Sequence, residues 1–105
     1  MTQTDWVDVL PVDDVPVDDV VCVTVAGMEL ALYQVDGKVF ATSNLCTHGT
    51  ARLCDGFLEG YAIECPLHQG RFDIRTGRAL AEPAVDPLPT YATRIEGGRV
   101  LVKVV

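Results

Sequence analysis

Residues 20–42 read VVCVTVAGMELALYQVDGKVFAT, and the alternation within them decides the fold class. In 20–25 the valines at 21, 23 and 25 share one face while Cys22 and Thr24 share the other, the period of two that a half-buried strand requires. Ala26-Gly27 interrupts that run as a hairpin turn. Residues 29–35 alternate again, Asp36-Gly37 is a strong two-residue hairpin signal, and 38–42 returns. A three-stranded antiparallel meander follows.

Working outward, residues 6–9 read as a preceding strand, and 91–95 and 99–104 as a final hairpin around Gly97-Gly98. The last strands are expected to pair with the first and close a small sandwich or barrel. From Asn44 to about Arg78 the pattern changes to Gly, Cys, His and Arg with brief apolar pieces at 57–58 and 62–64. Pro83, Pro87 and Pro89 then exclude both helix and central strand. The expected architecture is therefore all-β, with one domain over 1–105. A small antiparallel β-sandwich or barrel forms its basal part, about 1–43 and 79–105, and an inserted subdomain spans about 44–78.

At 105 residues, 49% of them hydrophobic and heavily valine, the chain can form one modest core but not a catalytic domain beside a cofactor domain. Its formal charge of −7 argues against nucleic acid, whose phosphates need clustered Lys and Arg. Asp5, Asp8, Asp13, Asp14, Asp18 and Asp19 fall in a stretch without Lys or Arg; this reads as a solvated face, with docking to a basic partner as the sharper alternative. Residues 1–5 lack the basic start and apolar segment of a signal peptide, and no run approaches the roughly 18 apolar residues of a membrane span. A cytoplasmic location without membrane contact is expected, where four cysteines serve as metal ligands or thiols rather than disulfides.

Both histidines of the chain belong to one pattern: Cys46-Thr47-His48 and, after sixteen intervening residues, Cys65-Pro66-Leu67-His68. Two thiolates and two imidazoles can bind one tetrahedral metal ion, or a two-iron cluster with both Cys on one iron and both His on the other. Zinc-finger sites pair Cys with Cys and His with His in separate loops. Here each loop supplies one of each, which suits a cluster reached by both loops. A Cys-His nucleophilic pair would need one free Cys and a third orienting group, and no motif supplies them.

Cys46-Thr47-His48-Gly49 together with Cys65-Pro66-Leu67-His68-Gln69-Gly70 resembles the two cluster-binding loops of Rieske proteins. Across residues 29–77, including Asp55-Gly56, Leu58-Glu59-Gly60 and Gly70-Arg71-Phe72-Asp73, the chain is similar to the ferredoxin components of naphthalene dioxygenase-like aromatic-ring-hydroxylating systems. The resemblance implies a [2Fe-2S] cluster with Cys46 and Cys65 on the buried iron and His48 and His68 on the outer one. It also implies an electron carrier, not itself an enzyme. Such a carrier passes single electrons from a flavoprotein NAD(P)H ferredoxin reductase to a terminal Rieske non-haem iron oxygenase, and is expected to work as a monomer. High-potential relatives carry an extra Cys in each loop and hydroxyl donors near the cluster. The matching positions here are Ala51, Leu67, Gly70 and Phe72, which places the potential at the low end of a class range of roughly −150 to +300 mV.

Among the neighbours, Gly56 and Gly60 read as loop glycines, while Gly49 and Gly70 could bring backbone amides near the sulfurs. Pro66 stiffens its loop and Leu67 shields the cluster. Cys22 reads as a small core residue, Cys54 as an ordinary thiol, and Trp6 and Tyr91 as core anchors. The purified protein is expected to be brown and, once reduced, to give a rhombic electron paramagnetic resonance signal. A colourless protein holding one zinc would refute this reading.

Overall fold

Asp36 and Gly37 stand at φ 55° and 75°, the paired left-handed conformation of a tight hairpin turn whose twist matches the strands it joins. The same geometry recurs at Ala26-Gly27 and Gly97-Gly98. The computed structural model describes residues 6–47, 51–66, 70–82 and 86–104. In chain order its strands are β1 (Trp6–Pro11), β2 (Val20–Val25), β3 (Met28–Val35), β4 (Lys38–Ser43), β5 (Phe57–Glu59), β6 (Ala62–Glu64), β7 (Arg71–Asp73), β8 (Ala79–Ala81), β9 (Thr90–Tyr91), β10 (Thr93–Glu96) and β11 (Arg99–Lys103). Short 3-10 turns occupy Val12–Asp14 and Leu53–Asp55, and no α-helix occurs among the described residues. The fold is all-β, as the alternation required.

Three antiparallel sheets result, ordered β1-β11-β10, β2-β3-β4-β9 and β5-β6-β7-β8. The first and last strands do pair, with Trp6 opposite Lys103 and Pro11 opposite Arg99. β1 runs two residues past its expected end. Pro11 is tolerated there because β1 is an edge strand, where the missing N–H costs no ladder bond. The expected single strand at 91–95 is two. β9 joins β4, β10 joins β11, and Ala92 between them is where the chain changes sheet. That switch joins the corner of two packed sheets. β7 and β8 had no clear signal in the sequence, and with β5 and β6 they give the middle stretch a sheet of its own.

β3 is buried on both faces. Leu30 and Leu32 pack with Val25, Val39, Ala41, Val100 and Val102 between the first two sheets. Ala31, Tyr33 and Val35 face the other way, into a second core with Leu53, Ile63, Phe72, Ile74 and Leu88. The Tyr33 hydroxyl lies 2.9 Å from Thr42 Oγ1. Thr42 donates its own proton to the Ser43 carbonyl, so Tyr33 is the donor of the pair. Burial raises the Tyr33 hydroxyl far above the ordinary phenol range, and it stays protonated.

The third sheet is pinned to the meander at Tyr61. Its hydroxyl donates to Asp36 Oδ2 at 2.7 Å, its ring meets Phe40 edge-on at 5.8 Å, and the Arg75 guanidinium lies 4.1 Å from the ring centroid. Arg75 is held in turn by both oxygens of Asp73 at 3.1 and 3.0 Å. The guanidinium keeps the Asp73 carboxyl below its usual range. This contribution is fully present above the ordinary carboxylate range and is lost as pH falls through the lowered value.

Two expected core residues are placed otherwise. Cys22 is exposed; it faces away from the valine side, as the alternation dictates, but β2 is the edge of its sheet. Trp6 is only half-buried, with the Arg94 guanidinium 4.6 Å over its ring. Tyr91, also half-buried, does pack against the core between the sheets.

Gly77 fixes the returning segment. At φ 81° a Cβ on it would come within 2.1 Å of the Leu88 carbonyl oxygen, and the Leu88 N–H donates to the Gly77 carbonyl at 2.7 Å. Gly77→Ala is therefore expected to lower unfolding stability by about 3 kcal/mol, read from urea denaturation. An unchanged midpoint would contradict the close approach.

Candidate metal centre

Cys46 and Cys65 begin two loops that are closed in the same way. The Cys46 N–H donates to the Ala51 carbonyl at 3.0 Å, and the Cys65 N–H donates to the Gly70 carbonyl at 2.7 Å, each five residues ahead. Just outside each bond the chain pairs with itself antiparallel, Leu45 with Arg52 and Glu64 with Arg71. Each cysteine therefore sits at the mouth of a hairpin loop whose base is rigid. Only Arg71 among the two bases also carries ion pairs within the sheet, to Glu64 at 3.2 Å and Glu59 at 3.3 Å.

Both cysteines are buried, at 4% and 1% exposure, in the core that contains Leu53, Ile63, Phe72, Ile74 and Leu88. None of the four cysteines of the chain is in a disulfide. A buried thiolate pair is unfavourable without a compensating cation, so this chemistry suits a metal centre better than a structural thiol pair. The next residues out are exposed, Leu45 at 52% and Pro66 alongside Cys65. The sulfurs thus lie just beneath the surface. His48, Gly49, Leu67 and His68 lie outside the described residues. Among the described residues no third metal-ligating side chain joins the two cysteines.

The remaining expected neighbours fall where that core is built. Gly70 and Phe72 are buried, and Ala51 packs from the half-buried shell against the core that contains Phe72; none offers a hydroxyl or a thiol. Gly56 has a structural duty, since a Cβ there would meet the Glu64 carbonyl oxygen at 2.0 Å. Gly60, at φ 60°, turns β5 into β6. Cys54 is half-buried on the Leu53–Asp55 turn, which directly follows Arg52 at the base of the first loop.

Three contributors were not legible in the sequence. Asn44, fully buried, takes the Cys54 N–H on Oδ1 at 2.9 Å and donates through Nδ2 to Glu29 Oε1 at 3.3 Å. Its backbone binds the Glu29 carbonyl at 3.0 Å and the Leu53 N–H at 2.7 Å. Asn44 therefore sets the base of the first loop against β3, and Arg52 reinforces it through Glu29 at 3.1 Å. Thr47 donates Oγ1 to the Asp86 carbonyl at 3.0 Å, so the proline-rich run that begins the return to the sandwich is tied to the first loop. Leu88, from the same proline-rich run, closes the core beneath. A polar residue where alternation stops was the only signal for Asn44, and it reads equally well as a loop.

Comparison with known proteins agrees with this geometry. The family of the Rieske [2Fe-2S] domain matches residues 5–92. The ferredoxin component of a naphthalene 1,2-dioxygenase system from Pseudomonas aeruginosa is 58% identical over 97 residues, covering 92% of this chain and 93% of the relative. Among solved structures, the Sphingomonas yanoikuyae B1 ferredoxin superposes with a TM-score of 0.89 at 46% identity, over 94% of this chain and 98% of that one. A chain from a complex of reduced oxygenase and oxidized ferredoxin in carbazole 1,9a-dioxygenase gives 0.89 at 34% identity, over 96% and 94%. Buried cysteines at the mouths of two matching loops, on an all-β frame shared over nearly the full length of these relatives, make this chain a member of the Rieske [2Fe-2S] domain family.

Proposed function

We propose that this chain is the ferredoxin component of an aromatic-ring dioxygenase system. It takes single electrons from a flavoprotein NAD(P)H reductase and delivers them to a terminal Rieske non-haem iron oxygenase, and it catalyses no reaction itself. The observation that carries the reading is the pair of buried cysteines in loops closed by matching hydrogen bonds.

Cys46 and Cys65 would supply thiolates from the buried side of the site, and His48 and His68 would supply the imidazoles. When bound, a [2Fe-2S] cluster with this ligand set provides one-electron chemistry at a potential above that of an all-thiolate cluster. The protein's part is to hold the ligands still and to limit hydrogen bonding to the sulfurs. Ala51, Gly70 and Phe72 provide no hydroxyl, which favours the low-potential end of the class. The exposed Leu45 and Pro66 border the loop mouths with apolar surface, suited to a transient contact that excludes water without locking. The cluster-binding subdomain is 44–78 together with β8, set on a basal sandwich.

A carrier that presents one face to two partners in turn works best as a monomer, and the nicotinamide chemistry proposed for its partners supports a cytoplasmic location. No helix among the described residues is long and apolar enough to cross a membrane.

Reconstitution tests the reading. With reductase and an aromatic-ring oxygenase present, the protein should support product formation, and His68→Ala should reduce the rate at least about 100-fold and bleach the visible absorption. Full transfer by that variant would overturn the ligand assignment. Asn44→Ala is expected to destabilise the protein by about 2 kcal/mol, by leaving Glu29 and the Cys54 N–H without their buried partner. It should also speed loss of visible absorption in the presence of a chelator. A variant that is destabilised but keeps its colour as long as the parent would show that Asn44 serves folding alone.

A further inference from the structure

Two cysteines remain outside the metal centre, and the fold brings them together. Cys22 lies on the face of β2 opposite the valines, paired with Ala31 of β3, and Ala31 belongs to the core beneath the two loops. Cys54 approaches the same face from the Leu53–Asp55 turn, which packs against β2. Cys22 lies near enough to Cys54 to act on its ionisation. Asn44 Nδ2 also points at the Cys54 sulfur, at 3.4 Å, and the Cys54 N–H is bound to Asn44 Oδ1. Cys54 is thus held in place while Cys22 is open to solvent.

We propose that Cys22 and Cys54 form a redox-responsive thiol pair that hydroperoxides oxidise to an intramolecular disulfide, tying β2 to the base of the first cysteine loop. The accessible Cys22 thiolate attacks the distal oxygen of the hydroperoxide. The O–O bond breaks, an alcohol or water leaves, and Cys22 becomes a sulfenic acid. The Cys54 sulfur then attacks the Cys22 sulfur; the S–O bond breaks, the S–S bond forms, and the Cys54 proton leaves with the hydroxyl as water. Two thiols have lost two electrons in all, and the peroxide has gained them. A dithiol reductant reverses the step by exchange.

Position supports the role of resolving thiol for Cys54. Cys54 is partly buried and fixed by Asn44 beside the exposed Cys22, and burial, with Cys22 nearby, pushes its thiol up from the ordinary value. The link would join β2 to a turn that Asn44 already holds through the Leu53 N–H, and Asn44 is followed by Leu45. Oxidation at this pair therefore acts on the segment that leads into Cys46, without touching Cys46 itself.

The experiment uses the intact, coloured protein treated with hydrogen peroxide, then denatured, alkylated and weighed. Oxidation of the pair should lower the mass of the unalkylated protein by that of two hydrogen atoms, and two fewer alkyl groups should be added. Dithiothreitol should restore both. Cys22→Ser and Cys54→Ser should each abolish the loss, and the Cys54→Ser protein should instead collect oxygen adducts on Cys22. Visible absorption followed in parallel reports the metal centre separately, so a failure of this pair and a failure of the centre are distinguishable. Disulfide-linked dimers through Cys22, oxygen adducts in the parent protein without a link, or a link that survives in Cys54→Ser would each overturn the proposal.

Discussion

The double burial of β3 is the constraint on which the rest depends. Leu30 and Leu32 give one core their contacts while Ala31, Tyr33 and Val35 give the other theirs, and every one of these side chains is at most 4% exposed. A single strand therefore serves as the wall of both the sandwich and the metal-bearing lobe. Slipping its register by one residue would exchange the two faces and unmake both cores at once. The tight turns at Ala26-Gly27 and Asp36-Gly37 prevent that slip by fixing β2 and β4 against it.

On that wall the lobe packs through an apolar core, and a few polar contacts set its orientation. Asn44 fastens the base of the first loop to Glu29 at the start of β3, and Tyr61 fastens the tip of the β5–β6 hairpin to Asp36 at its end. The two attachments lie at opposite ends of one strand. The buried Asn44 amide is costly when unpaired and directional when paired, so it sets orientation where apolar packing would allow sliding. A site assembled from two separate loops needs that orientation, because each loop contributes only half of it.

Residues 20–42 were fully legible because hairpin turns and a period of two are local signals, and the first-to-last pairing of β1 and β11 followed from the need to cover them. Cys46 and Cys65 were legible as a pair because their spacing and composition are specific. β7 and β8 were not, since three residues such as Arg71-Phe72-Asp73 carry too little alternation to register, and only their pairing to β6 and to each other makes them strands. Cys22 was misplaced for a related reason: alternation tells which face a side chain takes, not whether a neighbouring element reaches far enough to cover it. Trp6 illustrates the same limit, a large apolar ring at a sheet edge covered by an arginine from across the sheet.

The distribution of polarity follows from what the two cores must do. The sandwich core holds only aliphatic residues and methionine with Tyr91 at its margin, and it needs nothing more than to exclude water. The second core buries two cysteines among leucine, isoleucine and phenylalanine, where a thiolate is tolerable only beside positive charge. That environment suits cysteines held beside a metal centre better than free thiolates. The matched closure of the two loops by Cys46 and Cys65 backbone amides is what keeps this arrangement local. The amides are committed to Ala51 and Gly70, the loops keep their mouths shaped, and the sandwich beneath β3 can fold on aliphatic packing of its own.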